Sequence, residues 1–252
     1  MVPADLMALG YTEELAERIL HLLSDQALLE YYLHKGHRCG CYPLTRVSEG
    51  YPAALRKTLG ADSPGCLWAK GDRALLDTPC VALVGSRELQ EENRSFAREV
   101  GMQAARQGYT LVSGNARGAD KQAQQACLDA GGRVICIVAD KLEMHIEKEG
   151  ILYLSEDGFD EGFSPQRALS RNRLIHCLGR KTFVAQSGFN TGGSWDGTEK
   201  NLRFGWSSVY CFDDGSAASR ELEQMGAVLI TKAELSHIDA LRERETGMFG
   251  II

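Results

Sequence analysis

Between residues 80 and 231, short apolar runs alternate with longer amphipathic stretches. The runs are CVALVG, YTLVSG, RVICIVAD, KTFVAQSG, SSVYCFDD and AVLIT, with ILYLSE in the interval after the third. Between them, QEENRSFAREVGMQAARQG, GADKQAQQACLDAGG, RALSRNRLIHCLG, DGTEKNLRFGW and SAASRELEQMG carry helical spacing. Apolar strands alternating with amphipathic helices predict βαβ units around a mostly parallel, doubly wound sheet, an α/β fold.

The pattern before residue 80 is different. YTEELAERILHLLSDQALLEYYLHKG reads as one or two amphipathic helices, with Leu15, Ile19, Leu22 and Leu23 at helical spacing and Gly36 as the stop. We therefore expect a small helical segment over 1–41 and a sheet domain over 42–252. The stretch from Cys41 to Pro79 is rich in glycine and proline, which predicts short elements and turns. The tail from Lys232 to Ile252 reads as one helix and a loosely held end.

Composition narrows the picture little. The 252 residues are 44% hydrophobic and 25% charged, ordinary for a globular protein. No window approaches the roughly 18 uninterrupted apolar residues of a membrane span. No basic n-region followed by an apolar run stands at the start, so no signal peptide and a cytoplasmic location are expected. Cysteines such as Cys136 in RVICIV sit in apolar runs and read as small buried hydrophobes. HKGHRCGC gathers His34, His37, Cys39 and Cys41, but without a Cys-x-x-Cys pair or a second ligand pair at zinc-finger distance. No bound metal and no cofactor are expected.

Charge is more informative. The chain has 28 Lys plus Arg against 34 Asp plus Glu, a net charge of −6. Yet the run from Pro165 to Lys181 holds Arg167, Arg171, Arg173, Arg180 and Lys181 and no acid. Net acidity disfavours broad electrostatic binding to nucleic acid, but screening over about 10 Å leaves room for a local basic groove.

Ligands of doubly wound sheets bind beyond the carboxyl ends of the strands. After VALV come Gly85, Ser86 and Arg87. After YTLV come Ser113, Gly114, Asn115, Ala116, Arg117, Gly118, Ala119 and Asp120. After TFVA comes QSGFNTGGSWDGTE, with Ser187, Gly188, Gly192, Gly193 and Thr198. Each loop offers glycines and hydroxyls just before a helix, the composition of a phosphate cradle. Arg171, Asn172 and Arg173 are expected to open a helix capped by Ser170, bringing further positive charge. Arg180 and Lys181 are expected at the far end of that helix, complementing its C-terminus. An alternative for Arg171 or Arg173 is a buried pair with an acid such as Asp120 or Glu156.

The ordered set VALVGSRE, LVSGNARGAD, YLSE and SRNRLIHCLGR, preceded by GYPAALRKTLGADSPGCLWAKGD, resembles the DprA/Smf family of DNA-processing proteins. That family is Rossmann-like, within the wider group that also holds the LOG phosphoribohydrolases. The resemblance spans residues 42 to 231. It implies single-stranded DNA binding in a basic pocket, a homodimer and a RecA-type recombinase as partner. It also implies that the GSR, SG-x-AR-G-x-D and RNR residues named above line the pocket.

Some positions depart from the family pattern. Gln124 stands where a histidine is usual and Gln186 where a glutamate is usual, and a winged-helix domain after the core is not expected. GGSWDGTE looks like a stretched version of the LOG motif, in which a glutamate acts on an N-glycosidic bond. Two functions therefore compete: a single-stranded DNA binder, and a nucleotide-binding or nucleotide-hydrolysing enzyme using Glu199. Glu199 is equally explained as a first-turn helix acid. Phe163, Phe189 and Trp195 are candidates for stacking on bases or for the core.

Overall fold

The computed structural model describes residues 2–8 and 10–242. The chain divides into two compact units, 1–42 and 43–252.

The first unit is helical: α1 (Pro3–Met7), α2 (Glu13–Ser24) and α3 (Gln26–Arg38). The amphipathic stretch forms two helices because Asp25 ends α2 and caps α3, its carboxylate accepting from the Leu28 amide at 2.9 Å. Gly36 does not stop α3. It lies buried inside the helix, and the chain turns at Gly40, whose φ of 71° is left-handed.

The second unit carries nine strands: β1 (Tyr42–Thr45), β2 (Cys66–Gly71), β3 (Cys80–Val84), β4 (Thr110–Ser113), β5 (Arg133–Ile137), β6 (Ile151–Ser155), β7 (Lys181–Val184), β8 (Ser208–Phe212) and β9 (Val228–Ile230). Its helices are α4 (Ala53–Leu59), α5 (Glu91–Arg106), α6 (Ala119–Asp129), α7 (Pro165–Ser170), α8 (Asn172–Leu178), α9 (Gly192–Phe204) and α10 (Ala217–Met225). The strand order is β1-β2-β6-β5-β4-β3-β7-β8-β9. Pairings from β6 through to β9 are parallel, and β2 joins β6 antiparallel, Trp68 opposite Ser155. The sheet winds outward from β3 through β4 and β5 to β6. It then returns through α7 and α8 to β7 on the other side of β3. The winding reverses between β3 and β7, and the carboxyl ends there form the crevice where such sheets take ligands.

Strands β3, β4, β6 and β7 are buried along their whole length, which is why the sequence shows continuous apolar runs rather than alternation. Ala82, Val84, Ile135, Ile137, Leu152 and Leu154 share one core with Leu174, Ile175, Cys177 and Leu178 of α8. That helix is buried from Leu174 to Leu178, and Arg171 just before it is buried too, while Asn172 and Arg173 are partly exposed.

Three expectations about local structure change. RALSRNRLIHCLG is two helices rather than one, with Arg171 at the joint. Ser170 ends α7 and caps nothing; the cap is Ser164, whose hydroxyl accepts from the Arg167 amide at 3.1 Å, with Pro165 in the first turn. Lys181 does not complement a helix end. It lies buried in β7, its ammonium donating to the carbonyls of Leu241 at 3.1 Å and Asp239 at 3.4 Å. The tail forms a 3-10 segment over Lys232–Ala240, and the rest of the expectation falls on residues 243–252, outside the described residues.

Below α9 a polar network crosses the core. The Asn201 amide meets His176 Nδ1 at 3.0 Å and donates to Ser207 Oγ at 2.9 Å, and that hydroxyl meets Thr182 Oγ1 at 2.7 Å. His176 is completely buried, and burial pushes its pKa down to about 3. An unfolded histidine titrates near 6.5, so between these values the unfolded chain binds the extra proton. The stabilisation is complete above pH 6.5 and is lost as pH falls toward 3. Urea unfolding should show stability decreasing on acidification by up to about 1.4 kcal/mol per pH unit from this group. His176→Leu should show a slope smaller by one proton; an unchanged slope would contradict the assignment.

Candidate functional site

Beyond the carboxyl ends of β3 and β7 lies a cavity of about 490 Å³. Three loops build it. The first follows β3: the Ser86 amide donates to the Gln186 carbonyl at 2.9 Å, which ties the GSR turn to the loop after β7. Gly85 must be glycine, since a Cβ there would stand 2.6 Å from the Ala119 Cβ. The second loop, after β4, folds back on the first. Gly118 has φ 79°, and a Cβ on it would lie 2.4 Å from the Ser86 carbonyl oxygen. The third loop leads into α9, whose first residues Gly192 and Gly193 line the cavity. Thr191 precedes α9 without a side-chain cap, so the helix start is without a side-chain acceptor.

The charged groups fall into two kinds. Arg171 is 6% exposed, at the joint of α7 and α8. Its Nη2 donates to the Gly114 carbonyl at 2.8 Å, and its guanidinium lies flat against Gly114: a Cβ on that residue would meet Nη1 at 1.6 Å. Asp120, also 6% exposed, accepts from the amides of Gly114 at 3.0 Å and Ala116 at 3.1 Å. Burial pushes the Asp120 carboxyl upward, opposed by Arg171 and the two amides; burial pulls Arg171 downward, opposed by Asp120. The pair thus shapes the second loop, and Arg171 Nε remains buried without a partner among the described residues.

Arg87 and Arg117 are the other kind. Both are exposed, and neither guanidinium has a hydrogen-bond or ion-pair partner among the described residues. Arg87 lines the main cavity and also a smaller one of about 200 Å³, which Arg117 lines too. Arg171 and Phe163 form walls of both cavities.

The five charges of the acid-free run therefore do not form one patch. Arg167 holds the preceding loop, its Nε donating to Asp157 at 2.6 Å and its Nη1 to the Glu161 carbonyl at 2.7 Å. Arg173 points away from the cavity, pairing with Glu156 at 2.7 Å and donating to the Asp62 carbonyl at 2.6 Å. Arg180 is exposed, Lys181 is buried in β7, and only Arg171 of the five lines the cavity. Of the other expected site residues, Gly85, Ser86, Asp120, Asn172, Gly188, Gly192 and Gly193 line the main cavity, and Gly114 the smaller one. Gly118 lines a third concavity outside the GSR turn. Ser113 is fully buried, accepting from the Gln124 amide at 2.6 Å; Thr198 is fully buried inside α9; Ser187 faces a separate acidic concavity.

The match to known proteins now bears on this geometry. A model of the family described as DNA recombination-mediator protein A matches residues 43–238. The chain belongs to that family. A DNA processing protein DprA from Streptococcus pneumoniae is 32% identical over 162 residues, 60% of this chain and 53% of its own length. A protein Smf from Synechocystis is 30% identical over 122 residues, 43% of this chain and 30% of its own length. The chain thus spans about half or less of these curated relatives. The crystal structure of the pneumococcal protein superposes with a TM-score of 0.77 at 26% identity, covering 93% of this chain and 85% of that one. A Helicobacter pylori DprA, whose structure concerns a single-stranded DNA binding mode, has a TM-score of 0.65 at 22% identity, covering 78% of this chain and 94% of that one; it shows a shared fold.

Glu199 is not a first-turn acid. It lies two turns into α9, exposed and off the cavity wall, so no carboxylate of the stretched LOG-like motif reaches the crevice. The aromatic residues differ. Trp195 is core, 5% exposed; Phe189 packs edge-on to it at 5.6 Å but is half exposed and off the main cavity; Phe163 is 57% exposed on the cavity wall. The family's usual histidine is replaced by Gln124, which serves Ser113 inside the fold. Sequence reasoning did not find the apolar wall of Pro165, Ala168 and Leu169. Its signal was Ser164-Pro165, a helix start six residues before the expected cap Ser170.

Arg173 offers a direct check on this sorting. Its ion pair is partly buried, with side-chain exposures of 28% for Arg173 and 7% for Glu156. Arg173→Ala should cost about 1–3 kcal/mol in urea unfolding and leave ligand affinity within about twofold. A large affinity loss with unchanged stability would place Arg173 in the site instead.

Proposed function

We propose that this protein binds single-stranded DNA, with the phosphate backbone held at the crevice between β3 and β7. The observation that carries the reading is the pair of unpartnered arginines, Arg87 and Arg117, on two glycine-rich turns flanking a cavity with an exposed phenylalanine. Arginine forks suit phosphate oxygens. Gly192 and Gly193 bring backbone amides of α9 to the cavity, where an anion meets the positive end of the helix. Phe163 with Leu169 offers an apolar surface on which a base stacks. The proposed contact residues are Gly85, Ser86, Arg87, Gly114, Arg117, Gly118, Arg171, Asn172, Gly188, Gly192 and Gly193, with Asp120 ordering the second loop. Ser113, Ser187, Thr198 and Arg173 support the fold around it.

Family membership and the single-stranded DNA binding of the Helicobacter pylori relative support this reading. The same kinship extends it to a homodimer that hands the strand to a RecA-type recombinase in DNA uptake or recombination. Fluorescence anisotropy with labelled oligothymidylate at low salt tests the binding itself. Saturable binding that weakens with salt is expected; no binding to single strands, with tight binding of a mononucleotide, would favour the nucleotide reading.

A further inference from the structure

The outer side of the GSR turn has a concavity of its own, about 410 Å³, walled by Arg87, Arg94, Arg98 and Gln122. We propose that it is a second phosphate-binding subsite, over which the strand continues after leaving the main cavity past Gly118. The inference rests on the single-strand reading above and gives it a direction.

Arg94 and Arg98 stand one turn apart on α5, so both side chains project from one face. Arg98 Nε donates to Gln122 Oε1 of α6 at 2.6 Å. That contact orients the guanidinium plane and leaves its two amino groups without acceptors among the described residues. Arg94 pairs with Glu91 at 2.8 Å, an exposed contact of 40% and 75% side-chain exposure. Such a pair is weak enough for a phosphate to share the arginine. Glu88 also lines this concavity, so the wall carries three arginines against one acid. Arg87 lines both this concavity and the main cavity, so one exposed guanidinium stands between the two.

The other flank of the crevice has the opposite sign. Beyond the loop after β7, a concavity of about 560 Å³ is lined by Glu92, Asp213 and Asp214; Lys232 pairs with Glu92 at 3.1 Å, which leaves the two aspartates as its net charge. Asp214 is held below the ordinary carboxylate range although burial opposes this, because Ser216, Asn93 and Ser219 donate to it. It therefore carries full negative charge at neutral pH. A polyanion leaving the main cavity is repelled there and drawn across Gly118 toward α5 and α6.

The test compares oligothymidylates of about 4 and about 12 nucleotides, within the range of known single-strand site sizes. The double variant Arg94→Ala/Arg98→Ala should bind the short strand as wild type does. It should bind the long strand about tenfold or more weakly, with a salt slope smaller by about 1.4, or 0.7 for each lost contact. An unchanged melting temperature shows that the fold is intact. Wild-type affinity and slope for the long strand in the double variant, while Arg87→Ala loses both, would overturn this subsite and leave the main reading standing. Equal losses on both strand lengths would likewise overturn it, since the two arginines would then belong to the main cavity. Failure of wild type to bind either strand would overturn both.

Discussion

Arg87→Ala is expected to bind single-stranded DNA about tenfold or more weakly than wild type, with its salt slope reduced by at least 0.7, while melting at the wild-type temperature. The two halves of this result have separate causes. The guanidinium is exposed and lacks a protein acceptor among the described residues, so its removal breaks no contact of the fold. It lies where three concavities meet, so its removal takes a donor from each. The loss should be similar across unrelated sequences, because a phosphate contact carries no base information. Anisotropy titrations over a range of salt measure all of this. A variant that melts lower and binds normally would make Arg87 a structural residue.

Arg171→Ala is expected to do the reverse in its first effect, lowering stability by about 3–5 kcal/mol. The arginine is buried against Gly114, and its charge opposes the burial cost of the Asp120 carboxylate. Without it, Asp120 stays buried with its amide donors and only the weaker influence of Lys121, and the Gly114 carbonyl loses its partner. The second loop, which carries Arg117, then loses the group that shapes it. Weaker DNA binding should follow in whatever fraction remains folded. Denaturant unfolding followed by circular dichroism measures the first effect. Wild-type stability with lost binding would mean that Arg171 is a ligand contact alone.

The contrast between these arginines explains what could be read from the chain. The sheet was legible because strands buried on both faces must be apolar throughout, and the turns were legible because Gly85 and Gly118 answer to close approaches, of the Ala119 side chain and the Ser86 carbonyl respectively. Those two features place Arg87 and Arg117 at the crevice without any knowledge of side-chain contacts. The basic run from Pro165 to Lys181 was harder. Its charges are near in sequence, but a helix joint at Arg171 and the start of β7 at Lys181 send them in different directions. Arg173 found Glu156 and Lys181 found the carbonyls near residue 240, long-range partners that no local pattern announces. Glu199 was misplaced for a related reason. The turn before α9 is shorter than the motif led us to expect, with the helix already begun at Gly192, so the acid sits two turns into the helix, past the residues that line the cavity. Ser164 outcompeted Ser170 as the cap because Pro165 fits the first turn of a helix and the Ser164 hydroxyl accepts from the Arg167 amide.

The most direct measurement is a map of backbone amide shifts during titration with a short oligothymidylate. Perturbations should concentrate at residues 85–87, 114–118 and 188–194, the three turns that close the crevice, with smaller changes along the outer face of α5. Shifts confined to the opposite edge of the sheet, or to the helices of residues 1–42, with the three turns unmoved, would contradict binding at this crevice.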